Sequence, residues 1–390
     1  MKKPTLLIAC GLIGMMSLMS CSNKIDTENI SFNESDLVQS SYGGLGVEWG
    51  VYENGDKLDA SSWLRIYQHM THLKPSRIRC MINYDWFCDN FDDKGDDNKD
   101  NDTWTYSFAN QWGDNLRTIL TYCQQNNIEV AFGAWNVIGS LVNDVWNMIP
   151  ENTSDIRWAK ITKDVLTYLV KDQGFTCIRW FVNGNEPNYL GSQGSSKNYY
   201  NSFEKWAKAV KQVRAALDEA GLENIGIVGG DTTGVDGTTE YWNGIADNGI
   251  TDLVSDYGCH LYLDNYTIDG GFVLEKINEL NKQLYAKDKG YGTTRPFDIW
   301  ESGLLDGKDS VSDSNRLIKT VSYGIRMTDF TLQTALGGCN SVTYWDFDDG
   351  MHFMYNSATP TAKKWGMFSS LASDQASDQE LRPWYHSSSL

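Results

Sequence analysis

The sequence has no C-x-x-C pair, no G-x-G-x-x-G run and no phosphate loop, and its Lys and Arg residues nowhere gather into a basic stripe. The first absence removes the usual zinc and redox arrangements. The second and third weaken the case for a nucleotide-binding sheet. The last, with a net charge of −18, disfavours a nucleic-acid or anionic-lipid partner. No resident metal or cofactor is expected. The conspicuous apolar run, Leu6 to Met19, is too short to span a bilayer.

That run follows Met1-Lys2-Lys3, the charged start of an export signal, so residues 1–20 are expected to be removed. Its end, Leu18-Met19-Ser20-Cys21, resembles the bacterial lipobox, which implies lipidation of Cys21 and anchoring to the envelope. Cleavage without lipidation is the alternative. The polar segment 21–41 reads as a tether, leaving 42–390 as one large folded domain of unknown oligomeric state. With Cys10 and Cys21 set aside, six cysteines fall in that part. Cys80, Cys177, Cys259 and Cys339 lie in or beside strand-like runs as small hydrophobes, while a Cys80–Cys88 disulfide stays open.

What is present is alternation. Short apolar or β-branched runs at 44–50, 77–82, 128–134, 177–183, 225–230, 254–261, 297–300 and 341–347 read as strands. Helical periods fall near 60–72, 110–126, 154–173, 198–220, 238–248, 272–288 and 312–336. The clearest stripe is Phe203, Trp206, Ala207, Val210, Val213 and Leu217, closed by Gly221. Eight strands with crossover helices fit an open doubly wound sheet or a closed (β/α)8 TIM barrel, and the missing phosphate loop favours the barrel. The chain stops where an eighth helix should begin, so a truncated or atypical C-terminal helix is expected, and whether an accessory β-domain is lacking stays open.

Barrel active sites gather at the C-terminal ends of strands. The fourth run ends Asn183-Gly184-Asn185-Glu186-Pro187-Asn188, the seventh Trp300-Glu301-Ser302-Gly303, and the sixth contains His260-Leu261-Tyr262. Retaining cleavage of a glycosidic bond needs two carboxyl groups about 5 Å apart. Glu186 and Glu301 could meet that distance if the fold brings their strand ends into one cup. A lone glutamate at such a position is ordinarily just a polar strand end; two at matching ends are more telling.

Asn185-Glu186-Pro187 after strand four, with Trp300-Glu301 after strand seven, resembles glycoside hydrolase clan A, the barrel enzymes that include families five, thirty and thirty-nine. The resemblance covers most of 42–386. It implies Glu186 as general acid/base, Glu301 as nucleophile and Asn185 on the sugar 2-hydroxyl, with Glu186 protonated and Glu301 ionised. It also implies that His260 or Tyr262 hydrogen-bonds Glu301 and that Trp345 floors the sugar site. A structural histidine and a core tryptophan are the alternatives. Arg79 is a second donor to Glu301 or a plain ion pair. Trp135-Asn136 and Glu48-Trp49 are candidate pocket walls, and Asp231 either binds a hydroxyl or caps a loop. The acidic loop 89–102 reads as solvated, with Ca2+ as the alternative. The partner implied is a carbohydrate. Two other functions stay open: a surface glycan-binding lipoprotein without turnover, and a transglycosidase on the same barrel.

Overall fold

The structure, a computed structural model, describes residues 42–52, 58–92, 102–136, 138–142, 145–149, 154–188, 202–292, 294–354, 361–370 and 381–389. The expected signal, Cys21, the tether and most of the acidic loop lie outside the described residues.

The central sheet is parallel throughout. Its strands are Gly44–Glu48 (β1), Arg77–Asn83 (β2), Glu129–Asn136 (β3), Ile178–Val182 (β4), the two segments Gly226–Ile227 and Gly230–Thr233 (together β5), Tyr257–Leu263 (β6), Phe297–Leu304 (β7) and Ser341–Tyr344 (β8). The order runs from the second half of β5 through β6, β7, β8, β1, β2, β3 and β4 to the first half of β5. Both ends of that order belong to one stretch of chain, so the sheet closes into a cylinder. Hydrogen bonds continue across the join: Val228 N–H donates to Phe181 O at 3.0 Å, and Gly258 N–H to Gly229 O at 2.9 Å. This is the expected (β/α)8 barrel, with the fifth strand shared between two neighbours instead of running unbroken from 225 to 230.

Seven helices alternate with the strands: Ala60–Leu73 (α1), Gln111–Asn126 (α2), Ile156–Thr167 (α3), Phe203–Glu219 (α4), Val235–Asp247 (α5), Phe272–Lys287 (α6) and Val321–Leu336 (α7). Side chains at their starts accept backbone N–H groups left free by the first turn. Asp59 accepts from Ser62 N at 2.7 Å, and Asn110 from Gly113 N at 2.9 Å. The expected stripe of α4 is buried at Trp206, Ala207, Val210, Val213 and Leu217, and Gly221 follows with φ +63°. α7 starts at Val321, not 312, because Lys308–Asp309 and Ser314–Asn315 form a small antiparallel pair first. The C-terminal helix Pro383–Ser388 (α8) is only six residues long. It packs its buried Trp384 on Tyr323 of α7, where Gly324 has no side chain to hold the two backbones apart. No helix among the described residues is long and apolar enough to cross a membrane.

Alternation along the strands fills the cylinder in layers. Near its base Arg77 lies over the rings of Trp180 and Trp300, at 4.8 and 5.1 Å from their centroids, and donates to Asp298 at 2.9 Å. Above it Trp300, Met81, Ala131, Val182 and Val228 form a compact apolar plug. Polar side chains from the same strands stand on this plug.

Candidate active site

The strand ends that carry the acids are positioned by local irregularities. Along β7, Asp298 and Trp300 point inward, so strict alternation would aim Glu301 outward. A bulge intervenes: Cys259 pairs with Ile299 but His260 pairs with Glu301, skipping Trp300. The extra residue re-aims Glu301 into the cup. After β4, Gly184 has φ +98° and Glu186 φ +45°, while Asp231 in β5 has φ +53°. Left-handed backbone in non-glycine residues is uncommon and concentrates at functional sites. It is held here because Glu186 N–H donates to Asp231 O at 3.0 Å. Asn188 also exchanges two bonds with the Thr233 backbone, at 2.6 and 2.9 Å.

The two glutamates meet. His260 places Nδ1 3.0 Å from Glu186 Oε1 and 3.2 Å from Glu301 Oε2. One ligand-type atom from each of the three residues lies within 4.8 Å of the others. The Glu186 side chain is 21 % exposed and that of Glu301 8 %. Tyr262 donates to Glu301 Oε2 at 2.8 Å. Both members of the His-x-Tyr pair therefore reach Glu301, and His260 also reaches Glu186.

Arg79 stands at the centre, wholly buried. Its Nη1 donates to Glu48 Oε2 and to Glu301 Oε1, each at 3.0 Å; its Nη2 donates to Asn185 Oδ1 at 2.6 Å and Asp231 Oδ2 at 2.9 Å. Asp231 also faces His260 Nε2 at 3.0 Å. It therefore serves as a buried bridge between the two cationic side chains, instead of capping a loop.

Burial works against the charge of His260, but Asp231 and Glu301 outweigh it and lift the imidazole to about 10. Burial raises Glu186, yet the hydrogen bond and charge of His260 prevail and bring it below the ordinary carboxylate value. Burial lifts Glu301 to about 7 against the pull of His260 and Arg79, helped by the charges of Glu186 and Glu48. The glutamates are thus pushed apart as expected, but in the reverse order: the substrate-free site favours the proton on Glu301. The cause is that His260 hydrogen-bonds the more exposed glutamate directly, while Glu301 is the more deeply buried.

Aromatic residues line the same end of the barrel. Trp345, after β8, meets Trp135 edge-to-face at 5.8 Å and stacks on His352 at 4.6 Å; the guanidinium of Arg79 lies 5.2 Å from the Trp135 ring. Trp345 is therefore at the mouth and not on the outer wall. Asn136 ends β3, but its side chain lies outside what the structure describes. Glu48 and Trp49 correct the expected pocket wall. Glu48 points inward beneath the site and is fully buried, while Trp49, next along the chain, packs outward against Tyr122 and Phe347. No disulfide joins Cys80 to Cys88, and Cys123, Cys177, Cys259 and Cys339 are free thiols. Asp102, the described end of the acidic loop, is buried and accepts from Arg157 at 2.9 Å. Sequence reasoning missed His352 and also Trp365, which packs 5.8 Å from Tyr262; both come from the segment after β8, where no motif marks them.

No protein-family model matches the sequence, nor does any curated protein. Solved structures do. A family 39 glycoside hydrolase from Bacteroides cellulosilyticus WH2 superposes with a TM-score of 0.58 at 15 % identity, over 90 % of this chain and 63 % of that one. A monomeric beta-xylosidase from Caulobacter crescentus CB15 gives 0.57 at 13 %, over 90 % and 69 %. The catalytic core of a xylanase A gives 0.53 at 14 %, over 88 % and 96 %. The chain thus spans less than two thirds of the family 39 enzyme's length. Its fold is that of the barrel glycoside hydrolases, the architecture to which its Asn-Glu-Pro and Trp-Glu strand ends already pointed.

Proposed function

We propose that this chain is a retaining glycoside hydrolase that cleaves O-glycosidic bonds in a poly- or oligosaccharide. The supporting observation is the approach of Glu186 and Glu301 to within 4.8 Å. Retaining enzymes hold their carboxyl groups roughly 5–5.5 Å apart, whereas inverting enzymes leave room for a water at roughly 6.5–9.5 Å.

In the first step a carboxylate oxygen of Glu301 attacks the anomeric carbon. The bond from that carbon to the leaving oxygen breaks, and that oxygen takes the proton of Glu186. In the second step Glu186 removes a proton from water, the water oxygen attacks the same carbon, and Glu301 is released as carboxylate. Tyr262 and Arg79 hold one Glu301 oxygen each. His260, donating to either glutamate through Nδ1, lies between the two proton positions. Since one proton serves the pair, the reactive tautomer carries it on Glu186, and His260 stabilises whichever partner is left charged. Asn185, fixed by Arg79, is placed for the 2-hydroxyl, and Trp345 for stacking on a sugar ring.

Proton NMR during hydrolysis of aryl β-glycosides provides the test, with β-xylosides first because two of the similar structures are named for xylose-containing substrates. A β-anomer formed first supports the double displacement, whereas an α-anomer formed first would refute it. The reading includes export and a lipid anchor at Cys21, supported by the lipobox-like Leu18-Met19-Ser20-Cys21. A Cys21→Ser variant should then leave the membrane fraction.

A further inference from the structure

Glu48 has no part in the steps above, yet it is the most completely enclosed acid of the site. Its side chain has no solvent exposure, and its Oε1 has no hydrogen-bond partner. Its Oε2 accepts a hydrogen bond from the same Arg79 nitrogen that serves Glu301, at the same 3.0 Å. Bringing a carboxylate into a closed space is costly unless it is fully paired; this one is half paired, and it shares with Glu301 the positive charge of Arg79.

We infer that Glu48 is a positioning residue that competes with Glu301 for Arg79, and so keeps one proton shared within the Glu186–Glu301 pair at neutral pH. This rests on the hydrolase reading. Arg79 alone beside Glu301 would neutralise its charge and empty the pair of its proton. Four acceptors on one guanidinium divide that charge. The groups facing Glu48 are Arg79 and Cys80 on β2, Asp231 on β5, His260 on β6, Glu301 on β7 and Asp346 just after β8. Asp346 is fully buried with neither oxygen hydrogen-bonded, and burial pushes its carboxyl well above the ordinary carboxylate range. Burial holds Glu48 itself near 7 against the attraction of Arg79. The two glutamates on Nη1 are thus both raised by burial, and the charge of Glu48 raises Glu301 further.

The test reads carboxyl titration directly, by 13C NMR of glutamate-labelled protein without substrate, so its outcome is independent of whether the chain hydrolyses glycosides. In Glu48→Gln, which keeps the shape and removes the charge, the Glu301 midpoint should fall by about one pH unit. Glu48→Asp, which retains the charge, should leave it closer to wild type. Coupling is reciprocal, so Glu301→Gln should lower the Glu48 midpoint by a matching amount, a measurement that does not depend on Glu48→Gln folding. A Glu48 midpoint unmoved by Glu301→Gln would overturn the inference, as would an unmoved Glu301 midpoint in folded Glu48→Gln. In an active preparation the upper limb of the kcat/KM profile should move down with the Glu301 midpoint.

Discussion

Tyr262 donates its phenolic proton to Glu301 on the oxygen that Arg79 does not hold. A donor to the charged form lowers a carboxyl's pKa and steadies the carboxylate for attack. Tyr262→Phe should therefore raise the Glu301 midpoint above its value of about 7. It should also reduce kcat by roughly 10- to 1000-fold. A pH profile of Tyr262→Phe that overlays the wild type would show that this hydrogen bond does not act on the reaction.

Glu186, at 21 % exposure, stands where a leaving group can reach it. Replacement by alanine should slow substrates with poor leaving groups far more than activated aryl glycosides, which need little proton assistance. Azide should restore turnover of Glu186→Ala and give a β-glycosyl azide, because it attacks the glycosyl-Glu301 intermediate from the face that water uses. An α-azide would mean single displacement. Glu301→Ala should have no turnover in the same assays.

The pH dependence follows from the two glutamates as a pair. In the proposed mechanism the competent form holds one proton. It is gained as pH falls through Glu301 near 7, and a second is added only below the ordinary carboxylate value, where Glu186 titrates. kcat/KM should therefore fall above about 7 and stay high well into the acid range. A maximum above pH 8 would be incompatible with this proton count.

Stability has its own pH signature. His260 rises from an ordinary 6.5 to about 10 on folding, so its contribution is fully present below 6.5 and is lost as pH climbs through 10. Glu48 and Glu301, lifted by burial from 4.5 to about 7, lose theirs between those values. Melting temperature should accordingly decline from weakly acid to alkaline pH, and less steeply above 7 in His260→Gln. Arg79→Lys should be worse at every pH. One ammonium cannot serve four acceptors on two nitrogens, and the buried acids left unpaired should cost roughly 3–5 kcal/mol by denaturant titration.

Much of this site was legible in the sequence because barrel chemistry sits where apolar runs end. Asn185, Glu186, His260, Tyr262 and Glu301 all lie at such ends, and two-residue spacing put His260 and Tyr262 on one side. What was hidden depends on parity and on closure. Glu301 faces inward only through a bulge that no residue announces. Glu48 and Trp49 are neighbours in sequence but face opposite sides of β1. The role of Asp231 exists only because β5 closes the cylinder beside β6 and β4. The proton order in the substrate-free site depends on which glutamate His260 hydrogen-bonds, a distance that strand ends do not encode.

The divided fifth strand carries a consequence for how the cup holds its shape. Gly226–Ile227 belongs to the wall that presents Glu186, and Gly230–Thr233 to the wall that presents His260, so the hinge between them is Val228-Gly229. A side chain at Gly229 would collide with the Asp256 carbonyl at 2.1 Å. Glu186 and the imidazole hydrogen-bonded to it are therefore mounted on opposite lips of a single zip, so the Glu186–His260 distance of 3.0 Å depends on that fastening.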